Sequence, residues 1–150
     1  SVYSTINRSI ESEILPLCQE EGLGVITYNP LAGGLLTGKY KKGHAMPSGS
    51  RLDAFQMYRD RYLTDEALDI VERFVNVAMQ RGVTPAQLAL AWVLGERRVT
   101  SPIVGARNPE QLNDTIGGLE IALTAEERAA IPAVQPGRWV GIDPVYDRKF

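Results

Sequence analysis

Two segments of the sequence combine glycines and a basic side chain with a complete lack of acids. Residues 24–39 lie within a stretch, from Glu21 to Asp53, that holds no other Asp or Glu. Residues 99–109 likewise contain no acid, and they carry Arg107. An apolar run, a glycine turn with bare backbone amides, a basic side chain and a helix start form a layout that holds phosphate. Two such segments predict one large anionic ligand that bridges them.

The sequence shows no obvious catalytic acid, base or nucleophile. With one histidine, His44, and one cysteine, Cys18, the chain cannot form a metal cluster of the His/Cys type, and we predict no metal ligands. It has neither the Gly-x-Ser-x-Gly elbow of hydrolases nor a Walker lysine loop. The residues therefore predict binding, and none of them is predicted to be catalytic.

The composition is that of an ordinary globular protein of one domain. The chain has 150 residues, of which 44% are hydrophobic and 23% are charged. A net charge of -2 gives no reason to expect nucleic acid or a membrane as a partner. The single cysteine excludes an internal disulfide and fits a reducing compartment, so a cytoplasmic location is the default expectation.

The elements that must position these residues alternate between strand and helix. In the first part of the chain we predict a strand at 1–6, a helix at 10–21 capped by Ser9, a buried strand at 23–28 and a long loop at 29–62. After the loop we predict a helix from 64 to near Gly82, a helix at 85–94 and a strand at 99–104. A helix at 109–117, a short helix at 124–131 and an irregular tail at 133–150 complete the chain. This order indicates a parallel sheet of βαβ units. Three strands leave two unpaired edges, so we expect part of a larger barrel or sheet.

Several side chains follow the strand ends, where ligands of parallel α/β folds bind. Tyr28 could stack on a flat heterocycle or pack beneath its own loop. Gly33, Gly34 and Gly38 could let backbone amides approach a pyrophosphate, or they could simply make the loop flexible.

The basic side chains also have two interpretations. Lys39 and Arg51 could close over phosphates, whereas Lys41 and Lys42 fit a solvated turn. Arg107 could share an anion with the first turn of the following helix, or it could be an ordinary exposed arginine. Gln111, Asp114 and Thr115 could face that ligand, or they could be a capping residue and a wet helix surface.

Residues 28–39 and 102–112, together with 14–18 and 84–92, resemble the C-terminal half of the aldo-keto reductases in both order and spacing. Within that family they are most similar to the bacterial reductases that are related to potassium-channel β subunits. The resemblance implies an α/β fold, namely the C-terminal portion of a (β/α)8 TIM barrel with strands six to eight and their helices. Residues 1–150 would then be a single partial domain, with 29–62 as a long cofactor-covering loop and 133–150 as the irregular tail.

The resemblance also implies NADPH as the cofactor and hydride transfer from it to aldehydes and ketones. Tyr28 would stack on the nicotinamide, and Lys39 with Arg51 would hold the pyrophosphate. The full set of implied cofactor contacts is Tyr28, Asn29, Pro30, Leu31, Gly33, Lys39, Arg51, Gly105, Arg107, Gln111, Asp114 and Thr115.

The last four of these contacts belong to the adenosine end of the cofactor. Arg107 and Gln111 would meet the 2′-phosphate, and Asp114 and Thr115 the adenine. Arg107 stands where the family often has Ser, which could strengthen the preference for NADPH over NADH. Asp114 replaces the usual Glu and Thr115 the usual Asn, which would alter the adenine contacts.

The family's catalytic Asp, Tyr, Lys and His come from its N-terminal half, and those motifs are absent here. We therefore expect an NADP(H)-dependent aldo-keto reductase of which this chain carries the cofactor-binding half. Its partners would be a small-molecule carbonyl substrate and the missing N-terminal half of the barrel, and a homo-oligomer stays open. The alternatives are a non-catalytic nucleotide-binding or regulatory module of the channel β-subunit kind and a phosphate-handling barrel of the aldolase or isomerase kind.

Overall fold

The secondary structure is mostly helical, with one small sheet. A computed structural model describes residues 1–140. Its strands and helices are α1 (Ile14–Glu20), β1 (Ile26–Tyr28), α2 (Arg51–Ala54), α3 (Gln56–Tyr62), α4 (Asp65–Gln80), α5 (Pro85–Leu94), β2 (Ser101–Ile103), α6 (Pro109–Ile116) and α7 (Ala125–Ala130). Short 3₁₀ turns occupy Ser9–Glu11, Ala32–Thr37 and Gly117–Glu120. Of the predicted tail, residues 133–140 contain no helix, and residues 141–150 lie outside the described part.

The sheet is parallel, as predicted. β1 pairs with β2 in a register that sets Tyr28 opposite Ile103. On the other side of β1, a parallel bridge joins Val2 to Tyr28. The predicted strand at 1–6 forms no continuous strand, only this bridge and an antiparallel one between Ser4 and Asn7. Because both strands run in the same direction, the segments that follow Tyr28 and Ile103 leave the sheet at the same end, where the carboxyl ends of the two strands lie side by side.

The helices with the clearest start signals form where they were predicted. Thr84 and Gln87 make a reciprocal capping box at the start of α5, and Thr124 with Glu127 makes another at the start of α7. The side chain of Asn108 caps α6. These side chains satisfy backbone amides that would otherwise have no partner, so local chemistry alone fixes where each helix begins.

The predicted continuous helix at 10–21 is wrong. The chain forms the 3₁₀ turn Ser9–Glu11 and then a separate helix, α1, with Glu13 at its N-cap, so Ser9 does not cap a helix of that length. Leu15 is buried, whereas Leu17 is 57% exposed. Ile10 of the turn and Leu15 of α1 are both buried, although residues five apart lie about 140° apart around one continuous helix, so the break lets both face the core.

The strand predicted as buried at 23–28 is also wrong in its extent and environment. Only Ile26–Tyr28 is a strand, and Ile26 and Tyr28 are 58% and 48% exposed. Thr27 between them is buried, because successive side chains of a strand point to opposite faces. Within residues 1–140, one face of the sheet therefore packs on the core and the other has no layer over it.

The long segment after β1, predicted as a loop, contains regular structure. It holds the turn Ala32–Thr37 and the helices α2 and α3. Leu52 of α2 and Tyr62 of α3 are wholly buried, and both belong to the single hydrophobic core. We call residues 29–62 the covering segment; it is anchored by its own apolar side chains.

A cluster of buried charges ties the start of the chain to α5 and α7. The hydroxyl of Tyr3 donates to Glu11 at 2.5 Å and accepts from Arg128 at 2.6 Å. The Arg128 guanidinium also lies over the Trp92 ring, 4.2 Å from its centroid. Glu96 accepts two hydrogen bonds from Arg98, which hold the pKa of that carboxyl below its usual range.

No helix within residues 1–140 is long and apolar enough to cross a membrane.

Candidate functional site

A cleft of about 510 Å³ lies at the edge of the sheet where β1 and β2 end. That volume is typical of sites for small molecules and cofactors. The twelve residues predicted to contact a cofactor all line it: Tyr28, Asn29, Pro30, Leu31, Gly33, Lys39, Arg51, Gly105, Arg107, Gln111, Asp114 and Thr115. The structure thus brings together the two acid-free segments, which lie some 70 residues apart in the chain.

At the β1 end of the cleft, hydrogen bonds hold the backbone of Tyr28, and its side chain is exposed. Its N–H donates to the carbonyl of Ser1 at 2.9 Å, and its carbonyl accepts from Tyr3 at 3.2 Å. The side chain is 48% exposed, so the ring is not packed beneath its own loop. It can therefore offer a face to a flat heterocycle.

In the turn after Tyr28, backbone amides donate hydrogen bonds to acceptors of the same turn. The N–H of Gly33 donates to the side chain of Asn29 at 2.7 Å, and that of Gly34 donates to the carbonyl of Leu31 at 2.9 Å. Both glycines have positive φ angles, +68° and +92°. These positions therefore require glycine for its backbone conformation. The amides of Gly33 and Gly34 are thus engaged within the turn, and the role of these glycines beside a pyrophosphate stays a prediction.

Two cations reach the cleft from the covering segment. Lys39 Nζ lies 5.2 Å from the ring centroid of Tyr40, and the Arg51 guanidinium lies 5.2 Å from that of Tyr58. Both basic side chains belong to exposed residues. An aromatic neighbour restrains each cation without neutralising it, so both charges stay available to an anion.

Arg107 stands at the β2 end, between the covering segment and α6. Its guanidinium Nη1 donates to the carbonyl of Gly49 at 2.9 Å, and its backbone N–H donates to Gln111 Oε1 at 3.1 Å. Asn108 caps the helix that follows. The guanidinium keeps further N–H groups beside the N-terminal turn of α6, where the helix dipole favours an anion.

The two residues predicted to contact adenine differ in their availability. Asp114 Oδ1 accepts from the hydroxyl of Thr84 at 2.9 Å, which leaves its second oxygen for another donor. Thr115 is 4% exposed, and its hydroxyl donates to the carbonyl of Gln111 at 2.9 Å. Thr115 therefore contributes to the wall of the cleft, with its hydroxyl engaged in its own helix.

The cleft is strongly basic although the chain as a whole is slightly acidic. Four cationic side chains line it, namely Lys39, Arg51, Arg61 and Arg107. Asp114 is the sole acidic side chain among the described residues of its wall. A concave surface lined by one sign of charge concentrates counter-ions of the opposite sign. Such a cleft fits a ligand with several phosphate groups.

Tyr58 and Arg61 also line the cleft and were missed by the sequence reasoning. Both lie on α3, inside the segment that was predicted to be a loop. The aromatic pair Tyr58 and Tyr62, spaced four residues apart, was the available signal, because such a pair shares one face of a helix. The Arg61 guanidinium lies 6.0 Å from the ring centroid of Trp139.

Two buried tyrosines that do not line the cleft, Tyr62 and Tyr3, have raised pKa values. Burial raises the pKa of Tyr62 to about 12, against the opposing effect of the neighbouring Arg61, and burial also raises the pKa of Tyr3. Neither phenol is poised to give up a proton near neutral pH. Within residues 1–140 no group of three His, Cys, Asp or Glu side chains could hold a metal ion.

Comparisons with known proteins agree on one family. A sequence model described as "Aldo/keto reductase family" matches residues 1–136. The chain is 38% identical over 136 residues to the uncharacterized oxidoreductase YrpG of Bacillus subtilis, covering 90% of this chain and 39% of that protein. It is 38% identical over 135 residues to L-glyceraldehyde 3-phosphate reductase of Escherichia coli O157:H7, covering 86% of this chain and 38% of that protein.

Two further similarities complete the comparison. A probable voltage-gated potassium channel subunit beta of Arabidopsis thaliana is 40% identical over 114 residues, which cover 75% of this chain and 34% of that protein. Among solved structures, the glycerol dehydrogenase of Gluconobacter oxydans matches with a TM-score of 0.71 and 28% identity, covering 87% of this chain and 39% of that one. The chain thus spans between a third and two fifths of the length of each of these relatives.

Proposed function

The chain belongs to the aldo/keto reductase family, and we propose that it forms the NADP(H)-holding part of an oxidoreductase that reduces aldehydes or ketones to alcohols. One observation carries the proposal. The twelve residues implied to contact the cofactor come from both acid-free segments and from the stretches that follow them, and they line one basic cleft at the carboxyl ends of β1 and β2. Because the chain belongs to this family, we do not favour the alternative of an aldolase or isomerase barrel, although such a barrel would explain the same phosphate-binding layout.

The residues of the cleft fit NADPH from one end to the other. At the β1 end, the exposed ring of Tyr28 would bind a face of the nicotinamide. Lys39 and Arg51 would bind the pyrophosphate from the covering segment. At the β2 end, Arg107 and Gln111 would bind the 2′-phosphate, and Asp114 would accept a hydrogen bond from the adenine.

When bound, the reduced nicotinamide supplies the hydride that a carbonyl carbon accepts. This chain's contribution is to bind and orient. The Tyr28 ring would fix which face of the nicotinamide is open, and the cations of the covering segment would neutralise the phosphates. Arg107, held between Gly49 and α6, would set how far the adenosine end extends. A cofactor held in a fixed geometry lowers the entropic part of the activation free energy for hydride transfer.

The proton donor for the alcohol would come from the N-terminal half of the barrel, the partner that we propose for this chain. The open sheet face supports this assignment, because Ile26 and Ile103 are 58% and 57% exposed. Apolar side chains of a two-stranded sheet require a further layer for stability. Strands six to eight of a (β/α)8 barrel would place them toward the strands that precede them in the barrel.

A second candidate is a nucleotide-binding module without turnover. The similarity to the Arabidopsis protein, whose name assigns it to a potassium channel, favours this candidate. Both candidates use the same cleft, so they differ in chemistry and not in binding.

Steady-state assays of the full-length protein that contains this sequence separate the two candidates. We expect NADPH oxidation, followed at its absorbance band, in the presence of a panel of short aldehydes. Tight NADPH binding without oxidation for any member of the panel would favour the module and contradict the reductase.

A further inference from the structure

Asn29, the first residue after Tyr28, has an unusual backbone conformation. Its φ is +63°, in the left-handed region that non-glycine residues seldom enter. Pro30 follows it, and a proline favours extended conformations in the residue before it. Asn enters this region more readily than most L-residues because its short side chain can form local hydrogen bonds, and such bonds are what hold Asn29 there.

Two hydrogen bonds of its side chain supply this restraint. The Oδ1 atom accepts from the N–H of Gly33 at 2.7 Å, within the same turn. The Nδ2 atom donates to the hydroxyl of Tyr62 at 2.6 Å, across 33 residues of chain. The first bond moves with the turn, whereas the second ties the turn to a helix of the covering segment.

Tyr62 is suited to serve as a fixed anchor. Its side chain is wholly buried in the hydrophobic core, and its ring stacks on that of Tyr58 with 6.1 Å between centroids. Burial raises its pKa to about 12, so the hydroxyl stays neutral at physiological pH, and its oxygen accepts the bond from Asn29.

We propose that Tyr62 is a positioning residue that holds Asn29 in its left-handed conformation and thereby fixes the direction in which the chain leaves Tyr28. This inference rests on the proposed function, because the turn it fixes would line the nicotinamide end of the cofactor. The covering segment would then act on the cofactor twice, through the cations Lys39 and Arg51 and through the backbone beside Tyr28.

The bond between Tyr62 and Asn29 should therefore affect the binding of only one half of the cofactor. Arg107 and α6 have no part in the bond between Tyr62 and Asn29. Loss of the Tyr62 hydroxyl should therefore weaken the nicotinamide half of NADPH and spare the adenosine half.

The test measures both halves separately by calorimetry in the full-length protein. Reduced nicotinamide mononucleotide is the probe for one half, and 2′,5′-ADP is the probe for the other. In Tyr62→Phe we expect affinity for the mononucleotide to fall about fivefold, as for a lost neutral hydrogen bond. Affinity for 2′,5′-ADP should stay within about twofold, as for a distant and independent site.

Tyr40→Phe is the matched control. Tyr40 is a buried tyrosine of the same segment, and its hydroxyl accepts from the N–H of Leu52 at 3.3 Å. Removing that hydroxyl should lower stability without changing the ratio of the two affinities. If the ratio of the affinity for the mononucleotide to that for 2′,5′-ADP is the same in Tyr62→Phe as in Tyr40→Phe, the positioning role is overturned.

A pair of substitutions at Asn29 tests the backbone argument directly. Asn29→Ala and Asn29→Gly both remove the side-chain amide, but glycine adopts a φ of +63° without strain. We expect the glycine variant to bind the mononucleotide roughly tenfold more tightly than the alanine variant. Adding Tyr62→Phe to Asn29→Gly should cause no further loss, because the glycine variant already lacks the amide that bonds to the Tyr62 hydroxyl.

Three outcomes would count against the inference. Equal affinities of the alanine and glycine variants, or a further loss in the double variant, would overturn it while leaving the proposed function in place. A folded wild-type protein that binds neither probe would overturn both.

Discussion

Arg107 and Gly49 are joined by a hydrogen bond of 2.9 Å, from the guanidinium to the carbonyl oxygen, across 58 residues of chain. The bond links the β2 end of the cleft to the covering segment, which begins after β1. An anion bound by Arg107 would therefore also lie beside the covering segment. Two predictions follow from the charges gathered there.

Arg107→Ala should weaken NADPH more than NADH, because NADPH alone carries the 2′-phosphate. A hydrogen bond to a charged group is worth about 1.5–3 kcal/mol, so we expect at least a tenfold loss for NADPH. Competitive titrations of the two cofactors measure the ratio. Arg97→Ala, which removes an exposed arginine outside the cleft, is the control. Equal losses for both cofactors would refute the 2′-phosphate role.

Lys39→Met should weaken NADPH and NADH alike, since both contain the pyrophosphate. It should also reduce the salt dependence of binding, because one charge fewer faces the phosphates. Titrations at two ionic strengths measure this effect. Lys41→Met changes a lysine that does not line the cleft, and it should leave both properties as they are. A loss confined to one of the two cofactors would argue against a pyrophosphate contact.

Gly38→Ala should destabilise the fold by about 3 kcal/mol, from a left-handed backbone and from overpacking. Gly38 has a φ of +77°, and an added Cβ would lie 2.7 Å from Cγ2 of Val75. Gly43→Ala isolates the backbone contribution, because its φ is +74° and no atom lies within 4 Å of the added Cβ. For that control we expect about 1 kcal/mol in urea unfolding. Equal free-energy changes would show that the contact with Val75 is unimportant.

The Glu96 carboxylate should make the fold sensitive to acid. Its pKa is lowered in the folded protein by hydrogen bonds from Arg98, so the stabilisation is complete above the ordinary value of 4.5 and is lost as the pH falls below it. Thermal melts of wild type and Glu96→Gln measure this. Wild type should be the more stable at pH 6, and the difference should shrink as the pH drops below 4.5. A difference that stays constant with pH would contradict the assignment.

The sequence was most informative where local chemistry decides the structure. The caps Thr84, Asn108 and Thr124 predicted the starts of α5, α6 and α7, because a side-chain oxygen beside unpaired amides acts within one turn. Positions after two apolar runs singled out Tyr28 and Arg107, and the resemblance to the aldo-keto reductases implied the full set of twelve residues, all of which line the cleft.

What could not be predicted depends on contacts across the fold. The turn at Ser9–Glu11 is separate from α1, which lets Ile10 and Leu15 both face the core although they would lie on different faces of one continuous helix. The bond from Tyr62 to Asn29 joins residues 33 apart, and only the fold brings them together. The glycines after Tyr28 suggested open amides, but the left-handed turn they form uses those amides itself.

A direct titration tests whether the basic cleft between the ends of β1 and β2 binds NADPH. In the full-length folded protein, we expect NADPH to quench the intrinsic fluorescence with a low-micromolar dissociation constant, and 2′,5′-ADP to reverse the quenching by competition. A folded sample, verified by its circular dichroism, that shows no quenching at any NADPH concentration up to the millimolar range would contradict the account.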